Sequence, residues 1–386
     1  TIDGVEMEFI YVLDTEAPVE IMIWLPQLKA FCTAEDMTHN MHNLQTLRGA
    51  KVRNGLLWSK AVDTAIERYG DQVEVSFSTH HWPTWGNERI VNYWEAQRDM
   101  YRYLHDQTLH LANRGLTPDE IAEEMKLPAS LASQFNCRGY YGTLSHNVKA
   151  QYDLYFGWFD GNPAHLNPLP PSELGAKYVE AIGGADKVLE VAKASYAKGE
   201  YRWVATLLDN LVFAEPENKE ARQLLADTYS QLGYQAESGP WRNFYLTGAQ
   251  DLFKKNVPYT SKLINDGVLS QMDMGTLLDY CAIQLNGEKA GGKEAVININ
   301  FTDTKEKVML MLNNGVLNHR LGSQDKKADL TMEIAKMDFV KLFFGRTDLQ
   351  TLHKTNKVKT TGDTKAIDII RSAYEPADPN FNIVLP

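Results

Sequence analysis

The chain has 386 residues, 44% of them hydrophobic and 23% charged, a balance that excludes disorder on the scale of a whole domain. That length exceeds one ordinary core, so two or three domains are expected. A formal net charge of −11 excludes the basic footprint of a nucleic-acid-binding protein, and no apolar run approaches the roughly eighteen residues needed to span a bilayer.

In chain order, residues 1–95 alternate short strand-like runs (6–13, 21–25 and 73–78) with an amphipathic helix over 57–69, an α/β pattern. The chain opens on TIDGVEMEFIYVL without an initiator Met. A strand so close to residue 1 leads us to expect further sequence upstream, which leaves the localisation unknown. Residues 96–250 read as almost all helix, with apolar positions at helical spacing through 101–111, 121–125 and 188–196. The proline-rich segment NPAHLNPLPP at 162–171 marks an extended connection. Within this region 194–201 recurs weakly as 227–234, with Gly199 and Gly233 spaced by 34 residues, the period of a tetratricopeptide helix pair. Residues 256–386 change character again. Strands are expected at 295–301, 307–312, 317–321 and 328–334, a hairpin turn at Asn313-Asn314-Gly315-Val316, and a short helix at 337–344, giving a small α+β domain. Cys32, Cys137 and Cys281 are odd in number and far apart, and are expected to be free thiols.

The chemistry concentrates in the first ninety residues. Glu16 in DTEAP and Glu35 in CTAED each stand at or just past an apolar run, as do His80 and His81 in SFSTHHWPTWGNER. Strand ends are where α/β folds place functional groups. Two carboxylates and an imidazole brought together there suit a divalent metal, zinc included. Singly, each of these residues is more often a solvated or capping group, and Arg48, Lys51 and Arg53 more often a solvated basic face. As a set they are more telling. A basic cluster beside candidate metal ligands is what an anionic ester requires, and the planar arginine fork matches sulfate or phosphate oxygens.

The chain carries the strings TEAP, AEDMTHNMHNLQTLRGAKVR, HHWPTWGNERIV, QRDMYRYLHDQTLHLANRGLTPDEIAE, RGYYGTLSHNVKAQY and GWFDGNPAHLNPLPP, all between Thr15 and Pro171, within a match that runs over essentially the whole chain. In them the sequence resembles the type III alkyl sulfatases, zinc-dependent bacterial enzymes of the metallo-β-lactamase superfamily. The resemblance implies three parts. Residues 1–95 would be the second half of a metallo-β-lactamase-like αββα sandwich. Residues 96–250 would be a helical dimerisation domain with tetratricopeptide-like helix pairs, and hence the seat of a homodimer. Residues 256–386 would be a sterol-carrier-protein-like α+β domain that gathers hydrophobic substrate. Carried over residue by residue, the metal ligands fall on Glu16, Glu35 and His80, and the sulfate-binding residues on Asn43, Arg48 and Arg53. His42 and Tyr141 are the candidates for handling a proton at the leaving oxygen.

The implied reaction is hydrolysis of an alkyl sulfate, dodecyl-sulfate-like, to alcohol and inorganic sulfate, with two zinc ions in a complete site and C–O cleavage favoured. A periplasmic or secreted location is implied as well. Two departures concern single positions: Asp14 replaces the usual Gly of GTEAP, and Gln45 replaces a usual Tyr. A third is larger, because the HxHxDH motif that supplies three histidines and an aspartate is absent from these 386 residues. The front half of the catalytic domain is therefore expected to come from other sequence, and the chain to be inactive alone. A reading of a different class is a non-catalytic dimerisation and lipid-binding module derived from such an enzyme. A lactonase or β-lactamase is disfavoured, since neutral esters and amides need no pair such as Arg48 and Arg53.

Overall fold

Strand alternation sets the first sheet. In β1 (Glu8–Leu13) and β2 (Val19–Leu25), successive side chains point to opposite faces, and the antiparallel register pairs Phe9 with Ile23, Tyr11 with Ile21 and Leu13 with Val19 on one of them. The other face carries Ile10, Val12, Met22 and Trp24, all buried. β3 (Ala30–Cys32), β4 (Val75–Phe77) and β5 (Thr84–Trp85) complete a five-stranded sheet in the order β1-β2-β3-β4-β5, antiparallel except between β3 and β4. The parallel step is bridged by α1 (Gly55–Tyr69), whose first amides at Leu56 and Leu57 are capped by the Asn54 side chain. Trp58, Val62, Ala65 and Tyr69 of α1 pack on the buried face, joined by Ile90 and Trp94 of the 26-residue α2 (Asn87–Ala112). Each such large side chain withdrawn from water contributes about 2 kcal/mol.

These elements belong to a computed structural model that describes residues 1–253, 265–378 and 381–386. The described residues form two compact units, divided between Lys255 and Asn256, with Asn382–Pro386 belonging to the first. Of the boundaries read from sequence, that between 95 and 96 falls inside α2, which runs unbroken through it. The boundary between 250 and 256 lies partly outside the described residues.

The rest of the first unit is helical: α3 (Pro118–Glu124), α4 (Ala129–Ala132), α5 (Leu144–Phe156), α6 (Pro171–Ile182), α7 (Ala185–Ala197), α8 (Tyr201–Ala214), α9 (Lys219–Gln235) and α10 (Gly239–Asp251). The stretch 162–171 forms a 3-10 turn at Pro163–His165 and then an extended lead into α6. α7 with α8, and α9 with α10, are helix–turn–helix pairs around a core that includes Val188, Leu208, Leu211 and Leu225. The two glycines at the 34-residue spacing do different work. Gly199 lies at φ +79 in the turn before α8, where glycine is needed, whereas a Cβ on Gly233 inside α9 would come within 2.9 Å of Leu246 on α10.

Among the described residues, the second unit begins with α11 (Asp266–Gln271), α12 (Met274–Ala282) and α13 (Gly287–Ala290). Its sheet contains β6 (Ala295–Phe301), β7 (Lys307–Asn313), β8 (Val316–Leu321), β9 (Leu330–Ile334) and β10 (Val358–Gly362), ordered β10-β9-β6-β7-β8, with β6 and β9 parallel. Asn314 and Gly315 both have positive φ, the signature of the tight turn joining β7 to β8. α14 (Lys336–Phe343), α15 (Leu349–Lys354) and α16 (Lys365–Arg371) cover the sheet through Phe339, Phe343, Leu352 and Ile367.

Candidate active site

Glu16, Glu35, His42 and His80 all stand on loops that leave the same end of the first sheet. Three of these loops contain a non-glycine residue in left-handed backbone: Asp14 at φ +55, Ala34 at φ +50 and His80 at φ +68. Such residues cost free energy and persist where the surrounding structure over-determines them. Asp14 occupies the position where the family resemblance has Gly. Aspartate is among the few side chains that enter this region readily, and its carboxylate accepts from Lys51 Nζ at 2.9 Å. Thr15 then ties the loop back by donating to the Val12 carbonyl at 3.1 Å, which leaves Glu16 turned toward the site.

Glu35 follows β3 and meets two imidazoles, His42 Nε2 at 3.2 Å and His80 Nε2 at 2.8 Å. The hydrogen bond with His42 is the main cause of a carboxyl pKa pulled down to about 2; partial burial opposes it and His80 assists. His42 is buried, and its Nδ1 lies 3.2 Å from Arg53 Nη1. Nδ1 also lies 3.1 Å from the Asn43 carbonyl, and Nε2 is the nitrogen facing Glu35. Glu16, Glu35 and His42 each present a ligand atom, and these atoms all lie within 4.8 Å of one another. His80 contacts Glu35 but stands outside that trio, with 70% of its side chain exposed. Its loop is held by His39, whose ring is stacked on Trp82 and on Tyr93, each at 4.8 Å.

The basic residues divide. Arg53 is largely buried and its fork is fully engaged: it donates to the Glu16 carboxylate and carbonyl, to Asn43 O at 2.8 Å and to Asn43 Oδ1 at 2.5 Å. Asn43 is thus bound to Arg53 through both its oxygens. Arg48 is exposed, has no hydrogen-bond or ion-pair partner among the described residues, and lines an open depression of about 340 Å³ together with Asp14, Glu16, Lys51 and Arg53. A second depression of about 390 Å³ is walled by His42, His80, His81, Trp82, Tyr140 and Tyr141. The Tyr141 ring lies 4.8 Å from that of His42. Glu16 belongs to the first hollow and His42 to the second, so the trio stands between an anion-friendly hollow and an aromatic one.

Several residues that sequence reasoning did not single out hold this arrangement. Asn147 of α5 is fully buried; it donates to the His42 carbonyl at 2.9 Å and accepts from Leu44 N at 2.8 Å. One turn on, Gln151 donates to the Arg53 carbonyl at 2.9 Å and accepts from Gly55 N at 3.0 Å. Their spacing of four puts both amides on one helix face, but polar residues on a helix carry no sequence signal that marks them as buried. Tyr101 accepts from the His42 amide at 3.1 Å. Asp36, beside Glu35, is fully buried, and burial pushes its carboxyl well above the usual range against the opposing pull of the Thr15 side chain and the Glu16 backbone.

The chain's relatives agree in kind. The family description "Alkyl sulfatase dimerisation" matches residues 117–255, and "Alkyl sulfatase C-terminal" matches 262–386. A linear primary-alkylsulfatase from Pseudomonas sp. (strain ATCC 19151) is 31% identical over 98% of this chain and 73% of its own length. The chain belongs to the alkyl sulfatase family. A second linear primary-alkylsulfatase, from Pseudomonas sp., is 46% identical over the whole chain, which spans 57% of that relative. The solved structure of a stereoselective inverting sec-alkylsulfatase from Pseudomonas sp. superposes with a TM-score of 0.94 at 43% identity, over all of this chain and 61% of that one. This alkyl sulfatase chain therefore spans about three-fifths of the length of these two relatives.

Proposed function

We propose that this chain is part of a zinc-dependent hydrolase that cleaves alkyl sulfate esters of the dodecyl sulfate type, water and ester giving alcohol and inorganic sulfate. The observation that carries the reading is the trio Glu16, Glu35 and His42 beside the hollow lined by Arg48, Lys51 and Arg53. Two carboxylates and an imidazole are a donor set that zinc accepts, and a depressed Glu35 carboxyl stays ionised for that task at neutral pH. Glu16, Glu35 and His42 would hold the metal, with His80 in reach of Glu35. Zinc held there supplies positive charge that acidifies water at neutral pH.

The remaining chemistry belongs to side chains. Arg48 and Lys51 attract the sulfate, while Arg53 fixes Glu16 and Asn43 and so sets the floor of the hollow. His42 is given to the metal in this reading, and the Tyr141 hydroxyl has no partner among the described residues. Tyr141 is the group left facing the aromatic hollow to hold a proton near the leaving oxygen. The alkyl chain fits the hollow of Trp82, Tyr140 and Tyr141.

Other features support a reading in which the chain works within a larger assembly. Phe9, Tyr11, Leu13, Val19 and Ile21 form one open sheet face and are 40–61% exposed. A contiguous apolar patch of this kind marks an interface. A further polypeptide segment, supplying the remaining metal ligands, is the cover we assign to it. The helical region joins two copies, and the second unit gathers the hydrophobic substrate.

The test is inorganic sulfate released from dodecyl sulfate by the full natural protein, before and after chelation and with zinc restored. The reading predicts turnover that disappears on chelation and returns with zinc, and no turnover of a lactone or a β-lactam. Metal-free binding of dodecyl sulfate without hydrolysis would replace it with the non-catalytic lipid-binding module.

A further inference from the structure

The start of α10 grips the loop that carries Tyr141. Ser238, almost fully buried, is the N-cap of α10, accepting from Trp241 N at 3.4 Å, and it also donates its hydroxyl proton to the Tyr141 carbonyl at 2.6 Å. Gly239 N donates to the Tyr140 carbonyl at 2.9 Å. Trp241 Nε1 donates to His146 Nδ1 at 3.3 Å, and His146 Nε2 in turn donates to the Gln45 carbonyl at 2.7 Å. Arg138 and Glu237 close the outside of the grip at 2.6 Å, exposed and hence weak.

The gripped loop has little freedom of its own. Met41 N donates to the Arg138 carbonyl at 2.9 Å and Gly142 N to the Met41 carbonyl at 2.8 Å, so 138–142 is laced along the strand of chain that leads into His42. A Cβ on Gly142 would sit 2.5 Å from the His42 carbonyl oxygen and 2.7 Å from Asn43 N. Backbone contact that close means a displacement of Tyr141 is also a displacement of His42.

We infer that Ser238, at the head of α10 and within the stretch matched as the dimerisation region, is a positioning residue for the reaction. Through the Tyr141 carbonyl it holds the Tyr141 ring against His42. This rests on the reading of Tyr141 and His42 as site residues. It gives the helical region a direct hold on the site, separate from any part in joining two copies.

The two hydrogen bonds of Ser238 can be separated chemically. Ser238→Asp still accepts from the helix amide, as aspartate is a good N-cap, but its carboxylate has no proton to give the Tyr141 carbonyl. Ser238→Thr keeps both. In the full natural protein, Ser238→Asp is expected to lower kcat on dodecyl sulfate about tenfold while KM changes less than about twofold. Amide hydrogen exchange at Gly142 should speed up about tenfold in the same variant. Ser238→Thr should match the wild type in both. The inference is overturned if Ser238→Asp keeps wild-type kcat and exchange, or if Ser238→Thr loses as much as Ser238→Asp. A wild-type protein that releases no sulfate from any alkyl sulfate would sink the sulfatase reading, and exchange at Gly142 would then decide the role of Ser238 by itself.

Discussion

Arg48 and Arg53 carry the same charge in the same hollow, yet their surroundings assign them different work. Arg53 has its donors engaged by Glu16 and Asn43, so removing it strips partners from the Glu16 carboxylate and from the backbone and side-chain oxygens of Asn43. Arg48 has no such commitments. Arg48→Ala should cost about 2 kcal/mol of substrate interaction, on the order of thirtyfold in kcat/KM and mostly in KM, with zinc content unchanged. Steady-state kinetics paired with metal analysis checks this, and a loss of zinc in Arg48→Ala would contradict the assignment. His146 gives a second residue-scale expectation. Burial holds its pKa below the ordinary 6.5, and its bond from Trp241 needs a neutral ring. Above pH 6.5 the ring is neutral whether the chain is folded or unfolded; as pH falls below that value the unfolded state takes up its proton first, so stability drops. Urea unfolding from about pH 7.5 to about pH 5.5 should show this decline, and His146→Asn should flatten it.

At the scale of elements, α5 is the frame of the site. Asn147 and Gln151 take up four backbone groups at the two ends of the segment 42–55, which forms no regular structure until α1 begins at Gly55. Asn147→Ala should leave a buried amide and a buried carbonyl unpaired, costing about 3 kcal/mol in denaturant unfolding. A loss no larger than that of an exposed Asn would show that water replaces the side chain. The legibility of the elements follows their length. β6 and β7, with seven residues each, declare themselves by alternation in the first and a continuous apolar run, Val308–Leu312, in the second, and the Asn-Asn-Gly turn that ends β7 is visible in the sequence. β3 was not legible: three residues give no alternation to read, and it exists because β2 and β4 flank it. The site was legible as a set of residue types at strand ends. Its grouping was not, because Glu16, Glu35 and His42 meet through sheet register and through α5, and polar frame residues such as Asn147 carry no periodic signal. The resemblance assigned His80 as a ligand and His42 to proton handling; the fold gathers His42 with the two carboxylates and leaves His80 at the exposed edge.

On the scale of the whole molecule, the open face of the first sheet is the dominant feature. Phe9, Tyr11 and Leu13 alternate with the buried Ile10 and Val12, so both faces of β1 are apolar although one packs on helices and the other does not. A strand apolar on both faces is the pattern of a sheet covered on both sides. Phe9→Lys should therefore change the stability of this 386-residue chain by less than about 0.5 kcal/mol, and lower that of a protein in which a further segment covers the face by about 2 kcal/mol. Thermal unfolding of the two forms measures the difference, and equal effects in both would mean that nothing lies on this face.

The hydrogen bonds that frame the site have one further property, their reach along the chain. Leu44 to Asn147 spans 103 residues, Gly55 to Gln151 spans 96, and Tyr141 to Ser238 spans 97. The helices around them need only neighbours a turn away. During folding, closing loops of that length costs entropy before any contact repays it, so the local helices form early and these bonds late. A chain slowed in refolding would thus present finished helices while Glu16, Glu35 and His42 were still apart, and any metal it met at that stage would find scattered carboxylates and imidazoles in place of a prepared site.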